Sequence, residues 1–434
     1  MSASPFFNRH PLHLRPDPSR VIIRAFRPAI EPRDYNPIDQ SRANHIVDHV
    51  LALGEVEARA VLETVLHNFE NPHRNLLEIF EQRAAEMANI FAGHPEFSPT
   101  QRNLIGAYFL HEYSFEAAAL FNPSIVRHPD QSGVEPGSIR FILSLRAVGE
   151  GHISSLTFRR GTISLEGEID IEPPVRLACL PQIVGRAGDT IDLDFAEDTN
   201  ISERIIFPIT EAQANGIEDA RFVAFEHAGL TTYYATYTAY SGRAIRSELL
   251  ETRDFKSFRL IPLRGPAAIN KGMALFPRKI AGRYAMIARY DNESLHLIYS
   301  DDLTHWPLGT PILRPEYPWE FVQIGNCGSP IELDEGWLVF THGVGPIRRY
   351  SIGAVLLDKD NPARVIGRSR VPLVQPEKSE REGYVPNVVY SCGAMKVGSR
   401  IVLPYAISDT FSTIATVRIS TLVAILKDGQ TSGA

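Results

Sequence analysis

The sequence has few cysteines, no long apolar run and no excess of positive charge, and each lack removes a class of protein. Three cysteines (Cys179, Cys327 and Cys392) are odd in number and far apart in 434 residues. They lack zinc-type spacing and suit a reducing, cytoplasmic setting better than a disulfide scaffold. No apolar stretch approaches the ~20 residues a membrane-spanning helix needs. Met1 to Arg20 carries Arg, His and Pro without an apolar segment, so no secretory leader is expected. Lys+Arg 44 against Asp+Glu 51 gives a net charge of −7, which argues against a nucleic-acid or acidic-membrane partner. His227, His305 and His342 have no metal-ligating partner at i, i+4, so no metal is expected. With neither Gly-x-Ser-x-Gly nor a Walker pattern, serine hydrolysis and nucleotide binding have no support.

What the sequence does have is 31 Pro and 30 Gly, scattered along its length, which fits many short strands and turns. The first ~120 residues differ, with apolar residues at helical spacing from Pro37 to Gly54 and from Glu55 to Phe91. Asn71-Pro72 interrupts the second run, and Ser98-Pro99 is a helix start, with Ser98 as N-cap. After Leu120 the chain turns to short alternating segments such as Ile139 to Leu145, Thr232 to Tyr237 and Gly336 to Phe340.

Those segments repeat. Strand starts at Asp219, Ala274, Ser329 and Pro386 are separated by 55, 55 and 57 residues, and Asn122 to Val126 offers a fifth start upstream. Thr252 to Phe258 is echoed by Ser300 to Trp306. A ~40–55-residue repeat of about four strands is the signature of a propeller blade. The expected fold is all-β, a five-bladed β-propeller over residues 116–434 with a helical N-terminal extension over 1–115.

A propeller directs its blade starts to a central channel. The polar residues there are Asn122, Ser124 and Arg146; Asn215, Glu218, Asp219 and Arg221; Asn270, Lys271, Arg289 and Asp291; Gln323, Asn326 and His342; Glu382, Tyr384, Asn387 and Asp409. Any one of them also reads as an ordinary turn residue or strand cap. The sharpest element is Asn215-Gly-Ile-Glu-Asp-Ala-Arg221. Strand alternation sends one carboxylate inward and the other away, leaving Arg221 to orient or neutralise one of them.

Asn215 to Arg221, Lys271 to Met286, Ser300 to Trp306, Gly336 to Val344, Tyr350 to Asp358 and Gly383 to Gly393 together resemble glycoside hydrolase family 130. The likeness runs in order from about Phe121 to Val417 and does not reach the helical extension, whose expected use is oligomerisation or shaping the cleft. It implies an inverting β-mannoside phosphorylase that uses inorganic phosphate as co-substrate, with no cofactor, and releases α-mannose 1-phosphate. Asp219 matches the general acid, which acts through a mannose hydroxyl. Arg221 lies in the same motif and is assigned to the substrate, although Ala220 stands where the family usually has Pro. Asn122, Arg146 and Asp409 match sugar-contacting positions, and Lys271, Arg289, His342 and Tyr350 match phosphate-holding ones.

Phosphate must attack C1 opposite the leaving group, so cations and donors on that face argue phosphorolysis. A carboxylate base there argues hydrolysis by an inverting β-1,2-mannosidase. Gln323 stands where the family motif carries Lys, and Gly325-Asn-Cys-Gly328 departs from its usual continuation. Arg348-Arg349 are available replacements for the missing cation, and Glu320 and Glu382 are conceivable bases. His152, in Arg146 to Ser155, marks an altered substrate edge. Cys327 reads as a small buried thiol. A non-catalytic sugar-binding propeller is the third alternative.

Overall fold

The computed structural model describes residues 6–26, 28, 42–87 and 96–428. The chain forms two units, one of Pro18–Phe115 with Arg176–Cys179, the other of Met1–Asp17, Glu116–Val175 and Leu180–Ala434. The second unit thus includes the N-terminal strand β1 (Asn8–Arg9).

In the first unit, β2 (Val21–Ala25) pairs antiparallel with β3 (Leu110–Ser114). Among the described residues four α-helices lie between them in sequence: α1 (Arg42–Ala52), α2 (Glu55–Phe69), α3 (Leu76–Glu86) and α4 (Pro99–Tyr108). Pro37 and Phe91, the outer limits of the helical spacing, fall outside the described residues. The break at Asn71-Pro72 separates α2 from α3, which Asn75 enters in left-handed backbone at φ 54°. Ser98 caps α4: its Oγ accepts from the Gln101 N–H at 3.1 Å, and the Gln101 side chain accepts from the Ser98 N–H at 3.1 Å. Val47, Val50, Leu104, Ile105 and Phe109 form the core. Gly106 lets α4 lie against α3, since a Cβ there would sit 1.9 Å from the Phe80 carbonyl oxygen.

The second unit is mostly β, five antiparallel meanders in sequence. The first is β4 (Ala119–Arg127), β5 (Ser138–Val148), β6 (Ser154–Ser164) and β7 (Ile169–Ile171). After β8 (Gln182–Ala187) and β9 (Thr190–Asp194) comes the second: β10 (Gly216–His227), β11 (Leu230–Tyr240), β12 (Ile245–Thr252) and β13 (Ser257–Pro262). Strands β9 and β8 extend its outer edge. A single parallel pairing, Gly216 with Ser154, joins the first two meanders into one sheet. The third is β14 (Ala274–Leu275), β15 (Tyr284–Ala288), β16 (Leu295–Ser300) and β17 (Thr310–Leu313). The fourth is β18 (Gln323–Asn326) and β19 (Ile331–Leu333), both on β20 (Gly336–Gly345), then β21 (Arg349–Leu357) and β22 (Val365–Arg368). In the fifth, β23 (Val389–Tyr390) and β24 (Met395–Val397) pair with β25 (Arg400–Ile407), which pairs with β26 (Phe411–Arg418). Its outer strand is β1, with Asn8 opposite Thr416. Helix α5 (Ile419–Asp428) follows.

Apolar layers separate neighbouring meanders: Val223, Phe225 and Leu249 against Leu275, Met286 and Trp306, then Phe276, Ile287 and Leu297 against Trp337 and Val355. The echo between Thr252 to Phe258 and Ser300 to Trp306 is a capped turn leaving the third strand of its meander. The Thr252 Oγ1 accepts from the Phe255 N–H at 2.9 Å, and the Ser300 Oγ donates to the His305 carbonyl at 2.6 Å. That motif serves the fold.

Candidate active site

Strands β4 and β10 bulge at matching points. Pairing slips between Phe121 and Ser124 in one and between Glu218 and Arg221 in the other. A residue in each slip has left-handed backbone, Asn122 at φ 49° and Asp219 at φ 55°, which Asn and Asp tolerate better than most residues. The two side chains then meet, with Asn122 Nδ2 donating to Asp219 Oδ1 at 2.6 Å.

The bulge corrects the expectation that alternation would part the two carboxylates. Glu218 and Asp219 both face Arg146, whose Nη2 donates to Glu218 Oε1 at 2.8 Å and whose Nη1 donates to Asp219 Oδ1 at 3.1 Å. Arg146 is steadied by a 2.8 Å hydrogen bond from Nε to Ser154 Oγ and lies over the Phe121 ring at 4.9 Å. Lys271 Nζ donates to the other oxygen of Glu218 at 2.5 Å. Arg221 does not bond the Asp219 carboxylate; it donates to the Asp219 backbone carbonyl at 3.0 Å. Burial opposes ionisation of Asp219, but Arg146, Arg221, Lys271 and the Asn122 hydrogen bond hold its pKa at about 2. At neutral pH Asp219 is therefore a carboxylate.

Arg221 leads into a second cluster. Its Nη2 donates to Tyr390 Oη at 2.8 Å and its Nε to Asn326 Oδ1 at 3.2 Å. The Tyr390 ring lies 4.8 Å from that of His342, which stacks with Tyr350 at 5.9 Å. His342 Nδ1 is 3.2 Å from the Asn326 carbonyl oxygen, an acceptor, which places the ring proton on Nδ1 and leaves Nε2 with a lone pair. Burial, with Arg289 and Arg221 nearby, pushes the His342 pKa well below the usual range, so the ring is neutral. Gly325 admits this ring, since a Cβ there would sit 2.3 Å from Cε1. Arg289 is buried, its Nε has no hydrogen-bond partner, and burial lowers its pKa. Among the described residues neither Arg221 nor Arg289 has a carboxylate ion-pair partner.

Asp409 follows Ser408 in the β25–β26 turn, both in left-handed backbone. Burial raises its pKa to about 7; Arg146 and Arg348 oppose that rise and Asp219 adds to it. A raised acid pKa means folding favours the protonated form. That contribution is full below the ordinary aspartate pKa of about 3.9 and is lost as pH rises through about 7. Asp409→Asn is therefore expected to raise Tm relative to wild type by a margin that widens from about pH 4 to about pH 7 and is flat above. A margin independent of pH would contradict this assignment.

Asn122, Arg146, Asp219, Arg221 and Lys271 thus form one bonded network. Arg289, His342 and Tyr350 gather around Arg221 and Tyr390, while Asp409 stands within electrostatic reach of Arg146. Glu320 is elsewhere engaged: fully buried, it pairs with Arg368 and accepts from the Glu316 and Tyr317 N–H groups at 3.0 and 3.1 Å. Glu382 is exposed, and Gln323 is half-buried in β18 opposite Val344. Tyr390 was not anticipated. Its period-2 offset from Val388 was the available signal, but an aromatic in a short strand reads first as core.

The sequence model of glycoside hydrolase family 130, described as beta-1,4-mannooligosaccharide phosphorylase, matches residues 190–428. The 1,2-beta-oligomannan phosphorylase of Thermoanaerobacter sp. (strain X514) is 33% identical over 239 residues, 54% of this chain and 78% of that protein. The beta-1,2-mannobiose phosphorylase of Listeria innocua is 30% identical over 232 residues, 50% of this chain and 62% of that one. The structure of beta-1,2-mannobiose phosphorylase from Listeria innocua in complex with beta-1,2-mannobiose has a TM-score of 0.51 at 21% identity. It covers 72% of this chain and 92% of that one, a likeness of fold.

Proposed function

The chain belongs to glycoside hydrolase family 130, and from that premise we propose that it is an inverting β-mannoside phosphorylase. The observation that carries this is the pair of buried guanidinium groups, Arg221 and Arg289, which have no carboxylate ion-pair partner among the described residues and lie beside a neutral His342, Arg221 also donating to the Asp219 backbone carbonyl. Buried cations without counter-ions favour an anionic ligand, and a guanidinium matches phosphate oxygens geometrically. The hydrolytic alternative needs a carboxylate base, and Glu320 is held by Arg368. The 62–78% of each relative that is matched supports the activity by similarity.

In this reading Arg289, Arg221, Lys271 and Tyr350 hold hydrogen phosphate, whose remaining hydroxyl donates to His342 Nε2. A phosphate oxygen forms a bond to C1 of mannose as the C1–O bond to the leaving sugar breaks. Asp219, protonated in the loaded site, supplies the proton that reaches the leaving oxygen through a mannose hydroxyl. The products are α-mannose 1-phosphate and the shortened oligosaccharide. Asn122, Arg146 and Asp409 hold the mannose; no cofactor or metal takes part.

The five meanders are read as five blades. One cavity of about 330 Å³ is lined from Ile125, Val223, Pro277, Pro330 and Met395, one residue from each meander or its leading turn. We place the protein in the cytoplasm, where the buried Cys327 and Cys392 stay reduced as free thiols. Among the described residues no helix is long and apolar enough to cross a membrane.

Incubation with β-1,2- and β-1,4-mannobiose, with and without phosphate, tests the reading. Cleavage is expected only with phosphate and to yield α-mannose 1-phosphate. Full cleavage to free mannose without phosphate would establish the hydrolase instead. Binding without cleavage would establish a sugar-binding propeller.

A further inference from the structure

Two turns at the mouth of the site share one unusual backbone. Between β5 and β6 the chain passes through Gly149 (φ −106°, ψ −161°), Gly151 (φ 66°, ψ 15°) and His152 (φ 61°). From the end of β20 to β21 it passes through Gly345 (φ −106°, ψ −161°), Ile347 (φ 55°, ψ 35°) and Arg348 (φ 52°). In the first turn the first of the two left-handed positions is glycine, as backbone sterics favour. In the second it is isoleucine, whose β-branch makes that conformation costly. Packing does not compensate, because Ile347 is 92% exposed. A strained, exposed apolar side chain at the rim of a cleft points to a contact made outside the folded chain.

The surroundings indicate the ligand. The Arg348 guanidinium lies 6.0 Å from the Tyr350 ring, and its charge acts on Asp409. On the matching turn His152 Nδ1 is 2.6 Å from Tyr384 Oη, with ring centroids 5.6 Å apart. Tyr384 in turn donates its N–H to Thr410 Oγ1, next to Asp409, at 2.8 Å. Polar hydroxyl-binding groups and an exposed apolar side chain therefore border the same sugar-facing acid.

We propose that these two turns form a rim that grips the leaving part of a β-manno-oligosaccharide. Ile347 packs against the C–H face of a pyranose ring, while Arg348 and the His152–Tyr384 pair hold its hydroxyls. The inference rests on the phosphorylase reading for the site's substrate class.

The test uses Ile347→Gly, which copies Gly151, and Tyr384→Phe, which keeps the ring and removes the bond to His152. In the synthetic direction, KM for a manno-oligosaccharide acceptor is expected to rise about tenfold in each variant, while KM for α-mannose 1-phosphate stays within about twofold. Tm of Ile347→Gly is expected to hold or rise by about 1–2 °C as backbone strain is relieved. An unchanged acceptor KM in both variants overturns the rim, and a fall in Tm makes Ile347 a structural residue. Calorimetric titration of wild type and both variants with β-1,2- and β-1,4-mannotetraose is run whether or not the wild type turns over. If the wild type proves inactive on every mannoside, weaker binding by the variants still supports the rim, and equal or absent binding overturns it.

Discussion

Asp219→Asn is expected to lower turnover of β-mannobiose by roughly 10³-fold, within the range for loss of a general acid, while the protein remains folded. Asparagine keeps the shape, the left-handed backbone and an acceptor for Asn122 and Arg146. Arg146 retains Glu218, and Glu218 retains Lys271, so the network loses one charge without leaving a cation stranded. The difficulty is the proton. Three cations hold the Asp219 pKa at about 2, so it is ionised at neutral pH before substrates bind. Phosphate bound at Arg221 and Arg289 cancels part of that positive field, and a sugar covering the site removes water from the carboxylate. Both effects raise its pKa toward the range of a working acid. Co-binding of phosphate and sugar should therefore take up a proton. Calorimetry in buffers of different ionisation enthalpy would register it, and Asp219→Asn should show less. A substrate with an acidic leaving group, such as p-nitrophenyl β-mannoside, needs little protonation, so the variant's defect should shrink on it. An equal defect on both substrates would make Asp219 a positioning residue instead.

The parts of this molecule legible in the sequence are those with local signals. The Ser98-Pro99 helix start and the break at Asn71-Pro72 depend on residues within a few positions of each other, whereas the strand spacing is less even than expected, the start read at Ser329 falling between β18 and β19. The pairing of β1 with β26 joins Asn8 to Thr416, and no local pattern announces a partner four hundred residues away. Strand alternation wrongly parted the two carboxylates because it holds only for a regular ladder. The bulge and the left-handed backbone of Asp219 turn two successive carboxylates onto one arginine. Composition could not reveal that, since Glu-Asp in a turn looks the same. Arg221 acts on the Asp219 carboxylate by charge and not by a bond to it: the slip that turns the Asp219 side chain to Arg146 leaves its backbone carbonyl to Arg221. The residues that the resemblance names lie near one another, and the geometry divides them between a carboxylate network and a cationic pocket.

That pocket yields a prediction in which stability and activity move in opposite directions. Arg289→Met keeps most of the side-chain volume and removes a buried charge that has no counter-ion among the described residues. Burial already lowers the Arg289 pKa, a sign that the fold works against the charge. Removing the charge should stabilise the empty protein by about 1–3 kcal/mol, a rise in Tm of a few degrees. The same change removes a guanidinium that meets phosphate oxygens through charge-assisted hydrogen bonds, so KM for phosphate should rise about 10²-fold. Phosphate should also raise the Tm of the wild type through binding to the native state, and that increment should vanish in the variant. The neutral His342 makes the dependence on Arg289 stronger, because a ring whose only proton faces the Asn326 carbonyl brings no positive charge of its own. A lower Tm would show that Arg289 supports the fold through Asn292, whose carbonyl lies 3.4 Å from Nη1. An unchanged phosphate KM would move the anion site elsewhere and remove the observation on which phosphorolysis rests.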